Sequence, residues 1–138
     1  MNYKQLLTNS MVVIGLSCFS SLAFAKPPAA LIIYNNTNEA STCRTHMGCS
    51  TDLMGAEGVT PAHSLKEFSD AKIRIACKDR LENCVAEVYM TNNCTGPVVA
   101  SATFALKSGL KGDVVQVPGT NYVVNGTSGS TIVTIGYK

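Results

Sequence analysis

The first 25 residues have the three-part pattern of a secretory signal peptide, which fixes where the rest of the chain would fold. Lys4 supplies a positive charge, an apolar run extends from about Met11 to Phe24, and small residues flank a cleavage site after Ala25. The run is interrupted by serines and is shorter than the ~20 apolar residues of a bilayer span. A membrane anchor is therefore the weaker interpretation. A lipoprotein attached through Cys18 is weaker too, because the usual leucine three positions before that cysteine is missing. We predict a signal peptide over 1–25, a linker over 26–29 and one domain over 30–138.

Five cysteines remain after the predicted cleavage: Cys43, Cys49, Cys77, Cys84 and Cys94. Cysteines of an exported protein usually form disulfides, because the compartment is oxidising. An odd number leaves one thiol unpaired. No Cys-x-x-Cys pair and no zinc-ligand spacing occur, so we predict neither a metal site nor a cofactor.

Apolar residues alternate with polar ones after position 72, which is typical of a strand with one buried face. Ile73, Ile75 and Cys77 form the apolar set, and Lys72 and Arg74 would share the exposed face. Similar short runs separated by turn residues predict further strands over 30–34, 85–90, 98–106, 114–117, 122–124 and 131–137. These runs predict a single-domain, antiparallel, all-β fold with at most one short helix, in the form of a disulfide-stapled sandwich or small barrel.

The region before position 72 is less regular. Residues 39–62 are rich in Gly, Ser and Thr, and we expect a long loop pinned by Cys43 and Cys49. Thr60-Pro61 fits the start of a helix, with Leu65 and Phe68 at helical spacing, but an edge strand fits equally well. In the later part of the chain, Asn125-Gly126 is the strongest hairpin signal.

The strand pattern also predicts one disulfide. If 73–77 and 84–90 are adjacent antiparallel strands, Cys77 and Cys84 face each other at ~4.5–5.5 Å between Cα atoms, which a disulfide accepts. Cys94 would then lie more than ~20 Å away, at the other end of its strand. The second bond therefore joins two of Cys43, Cys49 and Cys94, with Cys43–Cys49 and Cys49–Cys94 equally favoured.

Five basic residues occur within fifteen positions, and they are the most suggestive surface feature: Lys66, Lys72, Arg74, Lys78 and Arg80. Such a cluster can hold a phosphate, a sulfated sugar or an anionic lipid headgroup. Neighbouring acids dilute it, so a solvated, self-paired surface is the alternative. The net charge of the whole sequence is only +2, which does not favour a nucleic-acid partner.

No catalytic residue is predicted. A nucleophilic cysteine needs a base and a group that orients the base, and the nearest candidates combine Cys43 or Cys49 with His46 or His63. Sequence proximity alone does not establish that geometry. The sequence contains no Gly-x-Ser-x-Gly elbow, and its acidic residues show no paired spacing.

The segment from Cys84 to Ala100, with its Asn93-Cys94-Thr95-Gly96-Pro97 element, is followed by Phe104 and Gly109-Leu110-Lys111. Together they resemble a segment of small Sec-exported, β-rich proteins of legionella-like gammaproteobacteria. The resemblance covers about residues 73–138. Some of these proteins are passed on by the type II secretion system. The resemblance implies release from the cell and action on a host, and it supplies no catalytic motif.

We therefore expect a secreted, non-enzymatic binding protein or virulence effector. Its basic strand face and loops would meet a host ligand, which we expect to be an anionic lipid headgroup, a glycan or a host protein. A cysteine-dependent enzyme that uses the unpaired thiol is one alternative. An envelope structural protein is another, and the sequence does not fix the oligomeric state.

Overall fold

The computed structural model describes residues 28–138, so the predicted signal peptide and Cys18 lie outside the described residues. The described part contains ten strands, two short α-helices and one 3-10 helix over Gly55–Gly58. The strands are β1 (Leu31–Asn35), β2 (Thr42–Thr45), β3 (Gly48–Cys49), β4 (Ser64–Phe68), β5 (Cys84–Tyr89), β6 (Val98–Ala105), β7 (Gly109–Leu110), β8 (Val115–Gln116), β9 (Tyr122–Asn125) and β10 (Ile132–Tyr137). The helices are α1 (Ser50–Met54) and α2 (Asp70–Cys77).

The strands form two sheets. A four-stranded sheet has the order β4-β1-β10-β9, and its central pair, β1 and β10, is parallel. The second sheet is antiparallel, with the order β3-β2-β5-β6-β7, and β8 pairs with β6. The fold is thus mostly β with two short helices, and the sheets do not close into a barrel. The prediction of purely antiparallel pairing was wrong for β1 and β10, which are parallel. These strands are far apart in the sequence, so no local pattern indicates that they pair or in which direction.

One core cluster draws its buried residues from both sheets and from α2. Ile33, Val133 and Ile135 come from the mixed sheet, Val99 and Phe104 from the antiparallel sheet, and Ile73 and Cys77 from α2. All of these side chains are at most 6% exposed. The helix and the two sheets therefore share one apolar interior, which supplies most of the driving force for folding.

The strand predicted after position 72 is wrong, because those residues form α2. Ser69 caps the helix, since its hydroxyl accepts a hydrogen bond from the backbone N–H of Lys72, and Asp70 is in the first turn. The buried set is Ile73, Ala76 and Cys77, at helical spacing, whereas Ile75 is 48% exposed. The alternation that indicated a strand was therefore accidental.

The region before α2 is also more ordered than predicted. Residues 39–62 contain β2, β3, α1 and the 3-10 helix instead of one long loop. Residues 64–68 form β4 at the edge of the mixed sheet, which is the strand alternative of the sequence analysis. Later in the chain, β9 and β10 pair as a hairpin, but Asn125 is the last residue of β9 and residues 126–131 make the connection.

Two disulfides cross-link the fold. Cys77–Cys84, the pair predicted from the sequence, is present with its Cα atoms 5.5 Å apart, but it joins the end of α2 to the start of β5 instead of two strands. Cys49–Cys94 is the second bond, with a Cα separation of 5.9 Å. Cys43 is the unpaired cysteine of the described residues. No helix between residues 28 and 138 has the length and apolar character needed to cross a bilayer.

Candidate functional site

Strand β2 separates two environments, because successive side chains of a strand point to opposite faces. Cys43 is opposite Val88 on β5, and both belong to the main core. Thr42 is opposite Tyr89, which packs in a separate cluster with Cys49 and Cys94. The free thiol and the disulfide that it could have joined therefore lie on opposite faces of the same sheet.

The face that carries the disulfide has its polar groups paired. The hydroxyl of Thr42 donates to the carbonyl of Thr91 at 2.9 Å and accepts from the N–H of Cys94 at 3.0 Å. These bonds and the disulfide anchor the loop between β5 and β6 against β2. We therefore expect this face to contribute to the stability of the fold.

The opposite face of β2 lines a cavity of about 70 Å³. Its walls come from both sheets and from both helices, with Ile33, Leu53, Phe68, Ile73, Ala86 and Phe104 among the apolar lining residues. Packed interiors have few voids larger than a water molecule. An apolar cavity enclosed by both sheets and both helices is therefore a candidate binding site, whereas the depression lined by residues 78–83 and Val85 is wide and open to solvent.

Three residues of the β2 segment share the cavity face, since Ser41, Cys43 and Thr45 are two positions apart. The Thr45 hydroxyl donates to the carbonyl of Ala76 on α2 at 2.5 Å. The Ser50 hydroxyl at the start of α1 donates to the carbonyl of Gly58 at 2.6 Å and accepts from the N–H of Cys43 at 3.1 Å. These bonds attach the two helices to the strand and form the cavity walls.

The hydroxyl of Ser41 is different. Ser41 is 2% exposed, and its Oγ is the buried side-chain polar atom that has no hydrogen-bond partner within residues 28–138. The thiol of Cys43 is also protected, because burial raises the pKa of Cys43 to about 11. At neutral pH an unpaired hydroxyl and a protonated thiol therefore lie in the cavity wall, and the surface that the cavity presents is almost entirely apolar.

Two of the predicted basic residues meet beside this cavity, at the carboxylate of Glu57. The Nζ atoms of Lys66 and Lys72 lie 2.6 and 3.2 Å from the same carboxylate oxygen of Glu57, and Lys72 also contributes to the cavity lining. Hydrogen bonds and charges of Lys66 and Lys72 hold the pKa of Glu57 below its usual value. Two ammonium groups share one carboxylate, so these three side chains together carry one positive charge in excess.

The other three predicted basic residues do not join this pair. Residues two positions apart on an α-helix point about 200° apart, so Lys72 and Arg74 do not share a face, and Arg74 pairs with Asp70 at 2.5 Å. Lys78 and Arg80 lie on the exposed loop after α2, where they line a separate, open depression of the surface and not this cavity. The predicted basic strand face is therefore wrong, because the strand on which it depended is a helix.

Each histidine has a hydrogen-bond partner other than the free thiol of Cys43. His46 Nε2 lies 3.0 Å from the carboxylate of Asp79, and this hydrogen bond lowers the pKa of Asp79. His63 Nε2 lies 2.5 Å from the side-chain oxygen of Asn38. Among residues 28–138, no group of three His, Cys, Asp or Glu side chains is placed to hold a metal ion.

The sequence analysis missed Ser41 and the apolar walls of the cavity. One signal was available, because Ser41, Cys43 and Thr45 alternate with Thr42 and Arg44 as in a short strand. Small and polar residues made the segment look like a loop. The walls are contributed by distant parts of the chain, and no local pattern brings them together.

Comparison with known proteins gives one family and one solved structure. The family model described as T2SS substrate NttC matches residues 4–135. The crystal structure of the Legionella pneumophila type II secretion system substrate NttC is similar, with a TM-score of 0.60 and 20% sequence identity. The match covers 82% of this chain and 100% of that chain, and at this identity it concerns the fold alone. None of the curated proteins compared with the chain matches it.

Proposed function

Because this chain belongs to the NttC family of type II secretion substrates, we propose that it acts outside the cell as a non-enzymatic binding protein for an anionic amphiphile. A type II secretion substrate is secreted by way of the periplasm, so its ligand would be met in the medium or at a host surface. The observation that carries the proposal is the apolar cavity with the Lys66 and Lys72 pair beside it.

The cavity suits the apolar part of such a ligand. Its volume of about 70 Å³ is roughly half that of an engineered, apolar protein cavity that binds benzene. It can therefore take a chain end of a few carbon atoms, and the rest of the ligand would extend outward. Burial of each methylene group contributes about 0.8 kcal/mol.

The lysine pair suits the anionic part. Glu57 is exposed, and exposed ion pairs are weak because water competes for both partners. A ligand carboxylate or phosphate can therefore take over one or both lysines. The charge left in excess by the two-to-one arrangement favours an anion over a neutral headgroup.

The test compares octanoate with octanol in calorimetric titrations of the mature domain, since the two ligands share a chain length and differ in charge. We expect octanoate to bind more tightly and its affinity to fall as salt increases. The double variant Lys66→Gln/Lys72→Gln should lose this preference. Lys107→Gln/Lys111→Gln, which removes two exposed lysines of the β6–β7 region, is the matched control and should keep it.

A gain of affinity is a sharper test than a loss. The variant Glu57→Gln removes the carboxylate that competes for both lysines, so it should bind octanoate more tightly than the unmodified protein. If octanoate fails to bind, or if Glu57→Gln does not increase its affinity, the proposed anion site is contradicted. A screen in which only glycans or host proteins bind would likewise replace the amphiphile with those partners.

The cysteine-enzyme alternative is less well supported. A nucleophilic cysteine needs its thiolate, whereas burial raises the pKa of Cys43 to about 11. His46 and His63 are paired with Asp79 and Asn38 instead. An envelope structural role is less consistent with a family of secreted substrates.

A further inference from the structure

We infer that α1 and the 3-10 helix form a lid over the cavity, and that an anion opens this lid by taking Lys66 and Lys72 from Glu57. The lid comprises residues 50–58. The inference rests on the proposed function, because it concerns the same cavity. It adds a route of entry, in which binding of the anionic headgroup admits the apolar chain.

The cavity walls differ in how firmly they are held. The strands in the walls are hydrogen-bonded to their neighbours within the two sheets, and the end of α2 is fixed by the Cys77–Cys84 disulfide. The lid belongs to neither sheet, and α1 has only five residues. A helix of that length is not stable by itself in water. The lid is therefore the wall that can move with the least loss of structure.

The base of the lid is fixed to β2. The Ser50 hydroxyl accepts from the N–H of Cys43 at 3.1 Å and donates to the carbonyl of Gly58 at 2.6 Å. A side chain at Gly58 would collide with the carbonyl of Ser50, so the close approach of the two lid ends requires glycine. Thr60 then pairs with Ser41 through two backbone hydrogen bonds of 2.9 Å. Movement is therefore confined to the tip of the lid, between its two ends.

The tip covers the cavity with two apolar side chains. Leu53 and Met54 line the cavity and pack against the main core, although both are only partly buried. The next three residues, 55–57, are exposed, and Gly55 has a φ of 62°, which favours glycine. Exposed backbone and few buried apolar contacts are typical of segments that open locally.

Glu57 makes the ion pairs that join this tip to the rest of the described domain. One pair leads to Lys66 on β4 and the other to Lys72 on α2, and both lysines meet the same carboxylate oxygen. Exposed ion pairs of this kind contribute little individually. An anion that takes both lysines removes both pairs at once. Because the lysines are free to bind it only when Glu57 has left, the anion favours the open lid.

Amide hydrogen exchange of the mature domain tests the lid without any ligand. The N–H of Gly55 donates to the carbonyl of Thr51, and the N–H of Val59 donates to that of Ala56. The protection factors of these two lid amides therefore report on opening. We expect Glu57→Gln to lower both about fivefold, as the loss of two exposed ion pairs implies.

Two controls separate lid opening from other effects. The amides of Ser41 and Thr60 bond to each other's carbonyls at the base and report on unfolding of the whole domain. They should stay at least ~tenfold better protected than the lid amides, since the lid opens without unfolding. Glu82→Gln removes the same charge from the exposed loop after α2 and is the matched variant. It should leave the protection of the lid amides unchanged.

Inorganic phosphate then tests whether an anion opens the lid, because it offers the charge without a chain. Compared with chloride at the same ionic strength, phosphate should lower the protection of the lid amides towards the value found in Glu57→Gln. Lys66→Gln/Lys72→Gln should abolish this response. Lys107→Gln/Lys111→Gln should keep it, since those lysines lie outside the lid and the cavity.

The outcomes distinguish the lid from the proposed function. If octanoate binds but the lid amides are as well protected as the base, or respond to neither Glu57→Gln nor phosphate, the lid is refuted and the proposed function stands. If the lid amides respond as expected but octanoate does not bind, the lid is supported and the proposed ligand is refuted. Absence of both responses refutes both.

Discussion

The two faces of strand β2 have opposite properties although they are built from neighbouring residues. On one face, Thr42 makes two hydrogen bonds beside the Cys49–Cys94 disulfide. On the other, Cys43 is unpaired and the hydroxyl of Ser41 has no hydrogen-bond partner within residues 28–138. The first face is cross-linked and satisfied, whereas the second contains a cavity of about 70 Å³.

This contrast suggests that one face stabilises the domain and the other binds the ligand. The free energy of unfolding of a small domain is low, so the destabilising effects of an unfilled cavity and an unpaired hydroxyl must be offset elsewhere. The disulfide face supplies that stability a few ångströms away, through the same strand. Each of the following variants changes one face and leaves the other intact.

The largest effect is expected from Cys49→Ala/Cys94→Ala. The two cysteines are 45 residues apart, and a loop of that length implies a loss of about 4 kcal/mol in the free energy of unfolding. Urea denaturation measures the loss, and octanoate titration of the folded fraction should show nearly unchanged affinity. A loss below ~1 kcal/mol would mean that the disulfide face is not the main source of stability.

Cys77→Ala/Cys84→Ala should cost less stability and more affinity. The separation of seven residues implies a loss of about 2.5 kcal/mol by the same model. This bond holds the end of α2, which forms one wall of the cavity, so octanoate should bind more weakly. If both disulfide variants change affinity equally, the two faces are not independent.

The thiol of Cys43 predicts a pH dependence. Its pKa is raised from 9.0 to about 11, so the folded state favours the protonated thiol. This contribution is fully present below pH 9 and is lost as the pH rises through 11, by about 2 kcal/mol. The difference in unfolding free energy between the unmodified protein and Cys43→Ala should show this loss. A difference that stays constant from pH 8 to 11 would contradict the buried position of the thiol.

The smallest effect on stability is expected from Ala86→Leu, which partly fills the cavity from β5. Cavity-filling substitutions commonly add about 1 kcal/mol, and the added side chain should also weaken octanoate binding. Val85→Leu changes the neighbouring exposed residue, which points away from the cavity, and serves as the control. Unchanged octanoate affinity in Ala86→Leu would place the ligand elsewhere.

The second half of the chain was predictable because its strands and turns are local. The strands predicted at 85–90, 98–106 and 122–124 correspond to β5, β6 and β9 within one or two residues. Apolar runs and turn residues carry that information within short segments. The turns between these strands can be predicted from the turn residues alone, without knowledge of contacts to distant parts of the chain.

Residues 69–77 were misread because two periodicities compete there. Ile73, Ile75 and Cys77 alternate as in a strand, but Ser69 and Asp70 are typical of a helix start, and tertiary burial favours the helical set. The prediction of a basic strand face failed for the same reason, because Lys72 and Arg74 are on a helix. The correct disulfide survived the error, because the end of α2 and the start of β5 also bring Cys77 and Cys84 together.

The cavity was not predictable from local pattern. It depends on β1, which pairs with β10 about one hundred residues later, and on the packing of both helices against β2. The choice of Cys49 over Cys43 for the second disulfide likewise depends on which face of β2 each side chain occupies. Both facts follow from tertiary structure.

The most direct test of the central claim is the rate at which methyl methanethiosulfonate labels the native mature domain at pH 9, with the labelled peptide identified by mass spectrometry. The account predicts one reactive thiol per chain, at Cys43, which reacts slowly and still more slowly when octanoate is added. Labelling at Cys49 or Cys94, or a rate at Cys43 that octanoate does not change, would contradict the claim that the free thiol lines the ligand cavity.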